Sequence, residues 1–248
     1  MRREDKHAQL KATIRTIYSK HHGRYGYRRI TSAIRSEGET VNHKRIQRLM
    51  QTMQLQSVVR KKKYRSFRGA VGRVAANVLQ RDFRASLPNQ KWVTDVTEFR
   101  VGEHKLYLSP VLDLFNGEIV AYEMSKRPLL GMVTGMIKKA FGRLGPLEKP
   151  IVHSDQGWQY QMQAYQQLLK DRSLTQSMSR KGNCYDNAAM ESFFGTLKAE
   201  FFHLNRFDSI DELQAGIRKY IHYYNHERIK LKLNGLSPVE YRIQAMLL

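Results

Sequence analysis

The stretch that sets the fold is residues 91–99, KWVTDVTEF, in which β-branched and aromatic side chains alternate with polar ones. This pattern predicts a strand over residues 92–101. Asp95 stands near its centre, although aspartate is disfavoured in strands and costly to bury without a partner. A carboxylate at such a position indicates a functional role, and pairing with an arginine is the ordinary structural alternative.

Further strands and helices follow this first strand. Residues 105–114 and 119–124 are predicted as strands joined through Asn116-Gly117, a dipeptide typical of hairpin turns. The pattern then predicts a helix at 130–143, a strand at 151–154, a helix at 161–170, a strand at 174–177, and helices at 186–202 and 210–226. Three antiparallel strands followed by alternating helices and strands define a mixed α/β layer fold.

Two more carboxylates occupy positions suited to binding divalent cations. Asp155 directly follows the strand at 151–154, at the carboxyl end where open α/β sheets bind ligands. Glu191 lies one turn into the helix at 186–202, and Lys198 follows at i+7 on the same face. Converging acids can hold two divalent ions about 3.5–4 Å apart for phosphoryl chemistry. Taken singly, Asp155 could cap the next helix and Glu191 could be a solvated helix residue.

The first 56 residues are predicted to be helical. Apolar side chains recur at helical spacing in three groups over residues 7–55, and residues 37–40 form a turn between the second and third groups. Asn42 is predicted to cap the third helix. That helix presents Lys44 and Arg48 outward, so we predict a helix-turn-helix that contacts DNA. A generic three-helix bundle with a charged face is the alternative.

A run of like charges follows this helical segment. Its basic residues are Arg60, Lys61, Lys62, Lys63 and Arg65. Such a run repels itself, extends, and gains most by lying along phosphates. We therefore divide the chain into a helix-turn-helix-like DNA-binding module at 1–56, a basic linker at 57–90, an α/β core at 91–205 and a C-terminal helical extension at 206–248.

The charge balance indicates a polyanionic partner. Lys and Arg number 43 against 22 Asp and Glu, which gives a formal net charge of +21. Residues 1–90 hold 22 basic and 5 acidic side chains, a balance of +17, and residues 91–248 carry the remaining +4. The first third of the chain is therefore predicted to bind a polyelectrolyte, and the rest keeps enough carboxylates for other work.

Other features exclude several classes of protein. No apolar run reaches about 18 residues, so no segment is expected to span a membrane, and the first ten residues, MRREDKHAQL, lack the apolar core of a secretory signal. The single cysteine, Cys184, rules out an intramolecular disulfide and leaves too few thiols for a structural zinc site. We expect a cytoplasmic, nucleoid-associated protein.

Several stretches resemble the integrase-like DDE transposases of bacterial insertion sequences, which belong to the retroviral-integrase superfamily, and in particular their OrfB-type catalytic product. The stretches are WVTDVT at 92–97, HSDQG at 153–157, KGNCYDNAAMESFFGTLK at 181–198, YYNHER at 223–228 and LSPVEYR at 236–242. The 35 residues between Asp155 and Glu191 also equal the spacing that this superfamily uses. The resemblance covers residues 20–242.

This resemblance implies a ribonuclease-H-like catalytic core that acts on DNA. Asp95, Asp155 and Glu191 would hold Mg²⁺, with Mn²⁺ as a substitute, and Lys198 would contact the transposon end. The implied reaction is DNA cleavage followed by 3′-hydroxyl strand transfer, as in DNA integration and recombination. The implied partners are double-stranded DNA of the element ends and target, further copies of the chain in a homo-multimer on DNA, and an upstream-frame DNA-binding product or a fusion with it.

Two other functions remain open from the residues alone. A DNA-binding regulator would use the helix-turn-helix and leave the core inert, although an inert core has no reason to keep three acids and Lys198. A ribonuclease-H-like nuclease would cut without joining, and the three acids do not separate it from a transposase.

Other polar and aromatic residues near these motifs have structural interpretations. Asp113 is interpreted as structural, Asp186 as a helix cap, His153 as an orienting neighbour, and Trp92, Trp158 and Tyr160 as core residues or walls of the site.

Overall fold

A mixed sheet forms the centre of the chain. The computed structural model describes residues 6–58, 74–180 and 187–247. Its strands are β1 (Lys91–Thr94), β2 (Thr97–Val101), β3 (His104–Asp113), β4 (Ile119–Ser125), β5 (Ile151–Ser154) and β6 (Thr175–Met178). Strand β3 is antiparallel to β1, β2 and β4, and β5 is parallel to β1 and β6. The predicted mixed α/β class is confirmed.

The strand predicted over residues 92–101 is interrupted at Asp95 and Val96, so this prediction of one continuous strand is wrong. Strand β1 pairs with residues 111–113 of β3, and β2 pairs with residues 104–108. The Asp95 carboxylate accepts a hydrogen bond of 2.7 Å from the backbone N–H of Val96. A local bond from a side chain to the backbone competes with the strand ladder. Asp95 therefore lies at the end of a strand and not at its centre.

Helices cover both faces of this sheet. The helices of the described residues are α1 (Ala8–Lys20), α2 (Tyr27–Ser36), α3 (His43–Thr52), α4 (Leu130–Phe141), α5 (Trp158–Gln161), α6 (Gln163–Asp171), α7 (Ala188–Glu200), α8 (Ile210–His226) and α9 (Pro238–Met246). Trp92 packs in a core with α4 and α6, and Val93 packs in a second core with α7 and α8. Successive strand residues point to opposite faces, which is why these two neighbours lie in different cores.

Two helical regions differ from the prediction. The single helix predicted at 161–170 is preceded by the short helix α5, and Met162 between α5 and α6 has an extended backbone. The predicted C-terminal helical extension also contains helix α9, for which no bounds were predicted. Its start carries a capping box, in which the Ser237 hydroxyl accepts from the Glu240 N–H while the Glu240 carboxylate accepts from the Ser237 N–H, and Pro238 stands at the first helical position. These are strong start signals for a helix.

Helices α1, α2 and α3 enclose a small core of their own. Its buried side chains include Leu10, Ile14, Ile17, Ile30, Ile34, Ile46, Leu49 and Met50. The Asn42 side chain accepts a hydrogen bond from the Lys44 N–H at 2.9 Å, so the cap predicted for the third helix is confirmed. The apolar faces predicted from helical spacing are the faces that these helices bury.

The segment predicted as a linker is partly described. The basic run Arg60, Lys61, Lys62, Lys63 and Arg65 lies outside the described residues, as do Cys184 and Asp186. The later part of the segment contacts the core, because the Val78 N–H donates to the Ser177 hydroxyl at 2.9 Å and Leu79 is buried. No helix within the described ranges is long and apolar enough to cross a membrane.

Candidate active site

Asp95 and Asp155 lie side by side at the ends of neighbouring strands. Strands β1 and β5 are parallel, and their last residues, Thr94 and Ser154, are paired. Asp95 directly follows Thr94, and Asp155 directly follows Ser154. Adjacent strands are about 4.8 Å apart, so the two carboxylates emerge close together at the carboxyl edge of the sheet. The structure therefore brings together two of the three acids singled out in the sequence.

The backbone after Asp155 is fitted to its carboxylate. The Gly157 N–H donates to Asp155 Oδ1 at 2.9 Å. A Cβ added at Gly157 would lie 2.9 Å from the same oxygen, closer than such atoms approach in proteins. A glycine at this position thus permits the turn that holds the carboxylate in place.

The electrostatics of the aspartates favour a positive charge beside them. Burial raises the pKa of Asp95 well above its usual range, and repulsion from Asp155 and, to a smaller extent, Glu191 raises it further. The Val96 N–H and the Lys198 ammonium act in the opposite direction. Burial also raises the pKa of Asp155, against the hydrogen bond from the Gly157 N–H. A cation bound beside the two carboxylates would favour their ionised forms.

Helix α7 places Glu191 and Lys198 along the same side of the sheet. The Lys198 Nζ donates to the Thr97 hydroxyl at 2.6 Å and lies 5.2 Å from the centre of the Phe99 ring. Glu191 is partly exposed and acts on Asp95 less strongly than Asp155 does. Among residues 6–58, 74–180 and 187–247, no three His, Cys, Asp or Glu side chains form a group that could hold a metal ion. The two aspartates are paired, and Glu191 is a more distant neighbour.

Asn187 is a site residue whose role the sequence did not reveal. It stands at the N-cap position of α7, but its side chain makes no capping bond. Instead its Nδ2 donates to Asp95 Oδ2 at 3.0 Å. Its Oδ1 is buried and has no hydrogen-bond partner among the described residues. The only sequence signal was its position four residues, one helical turn, before Glu191.

The aromatic residues and His153 have distinct environments. Tyr160 is buried, and its hydroxyl lies 3.4 Å from the Thr94 hydroxyl. Burial raises the pKa of Tyr160, and the negative charges of Asp95 and Asp155 raise it further. Tyr160 therefore forms a wall behind the aspartates. Trp92 is a core residue, and Trp158 is 45% exposed. His153 shares a hydrogen bond of 2.8 Å with the Ser177 hydroxyl. That hydroxyl also anchors Val78, so His153 supports the segment before the core.

The residues predicted to bind DNA are only partly described. Lys44 and Arg48 are exposed, one turn apart on α3, as predicted for an outward face. The basic run from Arg60 to Arg65 is not described. The contacts of Lys44 and Arg48 with DNA stay a prediction.

Comparison with known families identifies the class of protein. Residues 85–184 and 191–246 match two models, each described as an integrase core domain, and residues 4–63 match an HTH-like domain. The HTLV-2 integrase catalytic core domain, solved in complex with magnesium, covers 63% of this chain and 98% of its own length at 19% identity and a TM-score of 0.51. A chain of the simian T-cell lymphotropic virus intasome covers 88% and 70% at 17% identity, with a TM-score of 0.51. The chain thus combines an integrase fold with an HTH-like domain.

Sequence relatives narrow this class to a family. The chain is 57% identical over 240 residues to InsK of insertion sequence element IS150 from Escherichia coli K12, covering 97% of the chain and 85% of that protein. It is 37% identical over 234 residues to the transposase for insertion sequence element IS904 from Lactococcus lactis, covering 94% and 92%. The chain belongs to the insertion-sequence transposases with an integrase core domain.

Proposed function

We propose that this transposase cleaves DNA strands and transfers their 3′-hydroxyl ends to a target, with Asp95, Asp155 and Glu191 as its catalytic acids. One observation carries the proposal: Asp95 and Asp155 lie at the ends of adjacent parallel strands. Burial raises the pKa of both, and each would be stabilised as a carboxylate by a bound cation. Their position at the carboxyl edge of the sheet leaves them open to a ligand.

The chemistry of the donor atoms fits Mg²⁺. Asp95 and Asp155 supply hard carboxylate oxygens, and the buried Asn187 Oδ1, unpartnered among the described residues, supplies a further oxygen beside them. Glu191 completes the proposed set, and Mn²⁺ accepts the same oxygen ligands. Magnesium in the HTLV-2 integrase core supports the assignment. Such ions, when bound, stabilise charge on the attacking and leaving oxygens of a phosphoryl transfer.

Other residues of the chain orient the reaction. Asn187 holds Asp95 through its 3.0 Å hydrogen bond, and Tyr160 closes the inner side of the site to water. The Lys198 ammonium, held at Thr97, is placed to contact a phosphate of the transposon end. The acids thus receive the scissile phosphate from the open side, next to a fixed cation.

DNA recognition is assigned to the first third of the chain. The HTH-like domain would bind the transposon ends through Lys44 and Arg48, and the run from Arg60 to Arg65 would follow the phosphate backbone. We retain the division into the module at 1–56, the basic linker at 57–90, the catalytic core at 91–205 and the C-terminal extension at 206–248.

The active unit is proposed to be a homo-multimer on paired DNA ends in the cytoplasm. The fold match to an intasome chain supports this assembly. An upstream-frame DNA-binding product, or a fusion with it, is proposed as an additional partner in recognising the ends.

Replacing Asp155 with Asn tests the proposed chemistry. Asp155→Asn keeps the shape but removes the charge, so we expect cleavage and joining to fall on the order of 10³-fold or more. DNA affinity should stay nearly unchanged because it resides in the basic first third. The assay uses a labelled duplex with the terminal sequence that flanks the coding region of this chain, with Mg²⁺ and a target plasmid. The matched control is Asp171→Asn, an exposed aspartate at the end of α6.

The products of this assay separate the possible functions. Labelled ends joined to the plasmid support strand transfer, whereas cut but unjoined ends would indicate a nuclease. Wild-type protein that binds the duplex and never cuts it would indicate a regulator. A parallel loss of binding and cleavage in Asp155→Asn would contradict the separation of the two roles.

A further inference from the structure

The helical module α1–α3 docks on the core through a cluster of polar side chains around Glu200, the last residue of α7. We call it the Glu200 cluster, and its members are Arg24 and Arg29 from the module and Glu200, Tyr220 and Arg228 from the core. Arg228 binds both oxygens of the Glu200 carboxylate, at 2.6 and 2.7 Å. The Tyr220 hydroxyl donates to it at 3.0 Å and Arg29 at 3.4 Å. The Glu200 carboxylate thus binds one arginine from the module and one from the core, across the interface between them, which we call the seam.

This carboxylate is held as a charged group. Glu200 is 3% exposed, and such burial by itself would raise the pKa of its side chain. The hydrogen bonds and charge of Arg228, followed by the charge of Arg29 and the Tyr220 hydroxyl, outweigh burial and hold the pKa below its usual range. Charge-assisted bonds between arginine and carboxylate are strong and directional. The cluster therefore fixes the orientation of the module relative to the core, in addition to holding the two in contact.

The Arg24 side chain binds a backbone carbonyl at the end of the same helix. The Arg24 Nε donates to the Glu200 carbonyl at 3.0 Å, and its guanidinium lies 4.8 Å from the centre of the Tyr223 ring. The last carbonyls of a helix lack partners within the helix and carry partial negative charge, so a cation there is favourable. The module thus supplies the C-terminal cap of α7.

The rest of the seam combines polar contacts with apolar packing, because Ile229 of the core packs against the buried side chains of the module. The Tyr25 hydroxyl donates to the Glu227 carbonyl at 3.1 Å and accepts from the Ile229 N–H at 3.0 Å. An open pocket of about 360 Å³ lies beside the cluster, lined by residues that include His22, Arg24 and Glu200. Because this pocket interrupts the packing, directional hydrogen bonds to α7 and to residues 227–229 contribute to the register between module and core.

We propose that Arg24 and Arg29 are positioning residues that set the distance between the DNA held by the module and the strand position cut by the core. Helix α7 carries Glu191 nine residues before Glu200, about 14 Å along the helix axis. Both arginines bind Glu200 at the end of α7, the helix that carries the proposed catalytic acid Glu191. The docked module therefore sets the distance between the DNA-binding surface and the catalytic acids, a role that we call the ruler. This inference rests on the proposed function.

The double variant Arg24→Gln/Arg29→Gln tests the ruler. It removes the module's hold on α7 but leaves the buried Arg228–Glu200 pair intact, so the core should fold. Amide hydrogen exchange should rise by about tenfold or more at the last turn of α7 and at residues 227–229, as expected when a charge-assisted hydrogen bond is lost. On the terminal duplex, cutting should spread from one phosphodiester to several neighbouring ones. The share of cuts at the original position should fall more than the total amount of DNA cut.

A control variant matches the charge that is removed. Lys6→Gln/Arg15→Gln takes two positive charges from exposed positions of the same module. It should keep both the exchange pattern of the seam and the single cut position. Any loss of DNA affinity shared by the two double variants is then due to charge and not to docking.

Several outcomes would overturn the inference. An unchanged exchange rate at the seam would mean that the two arginines do not hold the module. A faster rate with a single cut position would mean that docking is structural only. Wild-type protein that never cuts would refute the proposed function, and the ruler with it, whereas hydrogen exchange would still report on docking.

Discussion

Glu200 and the pair Asp95 and Asp155 differ in the groups that lie beside their buried carboxylates. Glu200 is enclosed by the guanidinium of Arg228, and its pKa is held low. Asp95 and Asp155 accept hydrogen bonds from amides and form no ion pair among the described residues, and their pKa values are raised. Two neighbouring buried acids whose pKa values are both raised are typical of sites where a charged ligand binds.

His21 gives the seam between module and core a defined pH dependence. Its ring stacks on Tyr25 at 3.8 Å and lies 3.3 Å from the Tyr223 hydroxyl. Burial, followed by the charges of Lys20 and Arg24, lowers the pKa of His21 from 6.5 to about 4. The folded chain therefore prefers the neutral ring, and the unfolded chain takes up a proton first as the pH falls. Its stabilising contribution is complete above pH 6.5 and is lost as the pH falls from 6.5 towards 4.

The expected loss is about 2 kcal/mol between pH 7 and pH 5, at roughly 1.4 kcal/mol per pH unit below the unfolded pKa. The variant His21→Phe keeps an aromatic ring on Tyr25 but cannot titrate. Urea unfolding of both proteins across this range measures the effect as the difference between their pH slopes. Parallel slopes would show that His21 titrates alike in the folded and unfolded chain.

At the residue scale, the sequence predicted the acids better than the groups around them. Asp95 and Asp155 could be found because each is a lone acid next to an apolar strand, where burial needs a reason. Asn187 could not, since an asparagine before a helix is most often a cap. Arg24 was one of 43 basic residues, and only its long-range contact with Glu200 gives it a role.

At the scale of elements, the close approach of α8 to the end of α7 depends on Gly216. A Cβ at this position would overlap the Cζ of Phe201, whose ring is buried against Tyr220 and Phe207. To make room, the ring would have to give up part of its contacts with Tyr220 and Phe207. Gly216→Ala should therefore destabilise the protein by about 1–3 kcal/mol, the usual cost of overpacking a core. Chemical denaturation measures the change.

Gly195 in α7 provides the matched control. It also lies within a helix, but a Cβ there would meet nothing within 4 Å. Gly195→Ala should stabilise the protein by about 0.4–1 kcal/mol, because alanine restricts the unfolded chain and favours a helix. If both substitutions changed stability in the same direction, the packing of Phe201 would not be the cause in Gly216→Ala.

The elements that were mispredicted have identifiable physical causes. Propensity treats residues 92–101 as one run, but the Asp95 side chain bonds to the next backbone N–H and ends β1. Helix α9 is short and largely exposed, so its hydrophobic periodicity is weak, although its capping box was readable. The hairpin at Asn116-Gly117 was predictable because Gly117 has a φ of +71°, which glycine adopts without strain.

At the scale of the whole molecule, charge and carboxylates are segregated along the chain. Residues 1–90 carry +17 of the total of +21, and the paired aspartates lie in the later part. Composition made this division predictable. The contact between the two parts was not predictable, because Arg24 and Glu200 are 176 residues apart and no local pattern links them. Affinity for DNA and position of the cut should therefore respond to different substitutions.

The basic run supplies the last prediction. Replacing Lys61, Lys62 and Lys63 with Ala should weaken binding to the terminal duplex and to a random duplex about equally, because phosphate contacts carry no sequence information. If each lysine neutralises one phosphate, the slope of log K against log salt should flatten by roughly 0.9 per lysine. The control, Lys138→Ala/Lys149→Ala/Lys219→Ala, removes the same charge from the exposed surface of the core. An unchanged slope, or equal flattening in the control, would show that net charge and not this run binds the backbone.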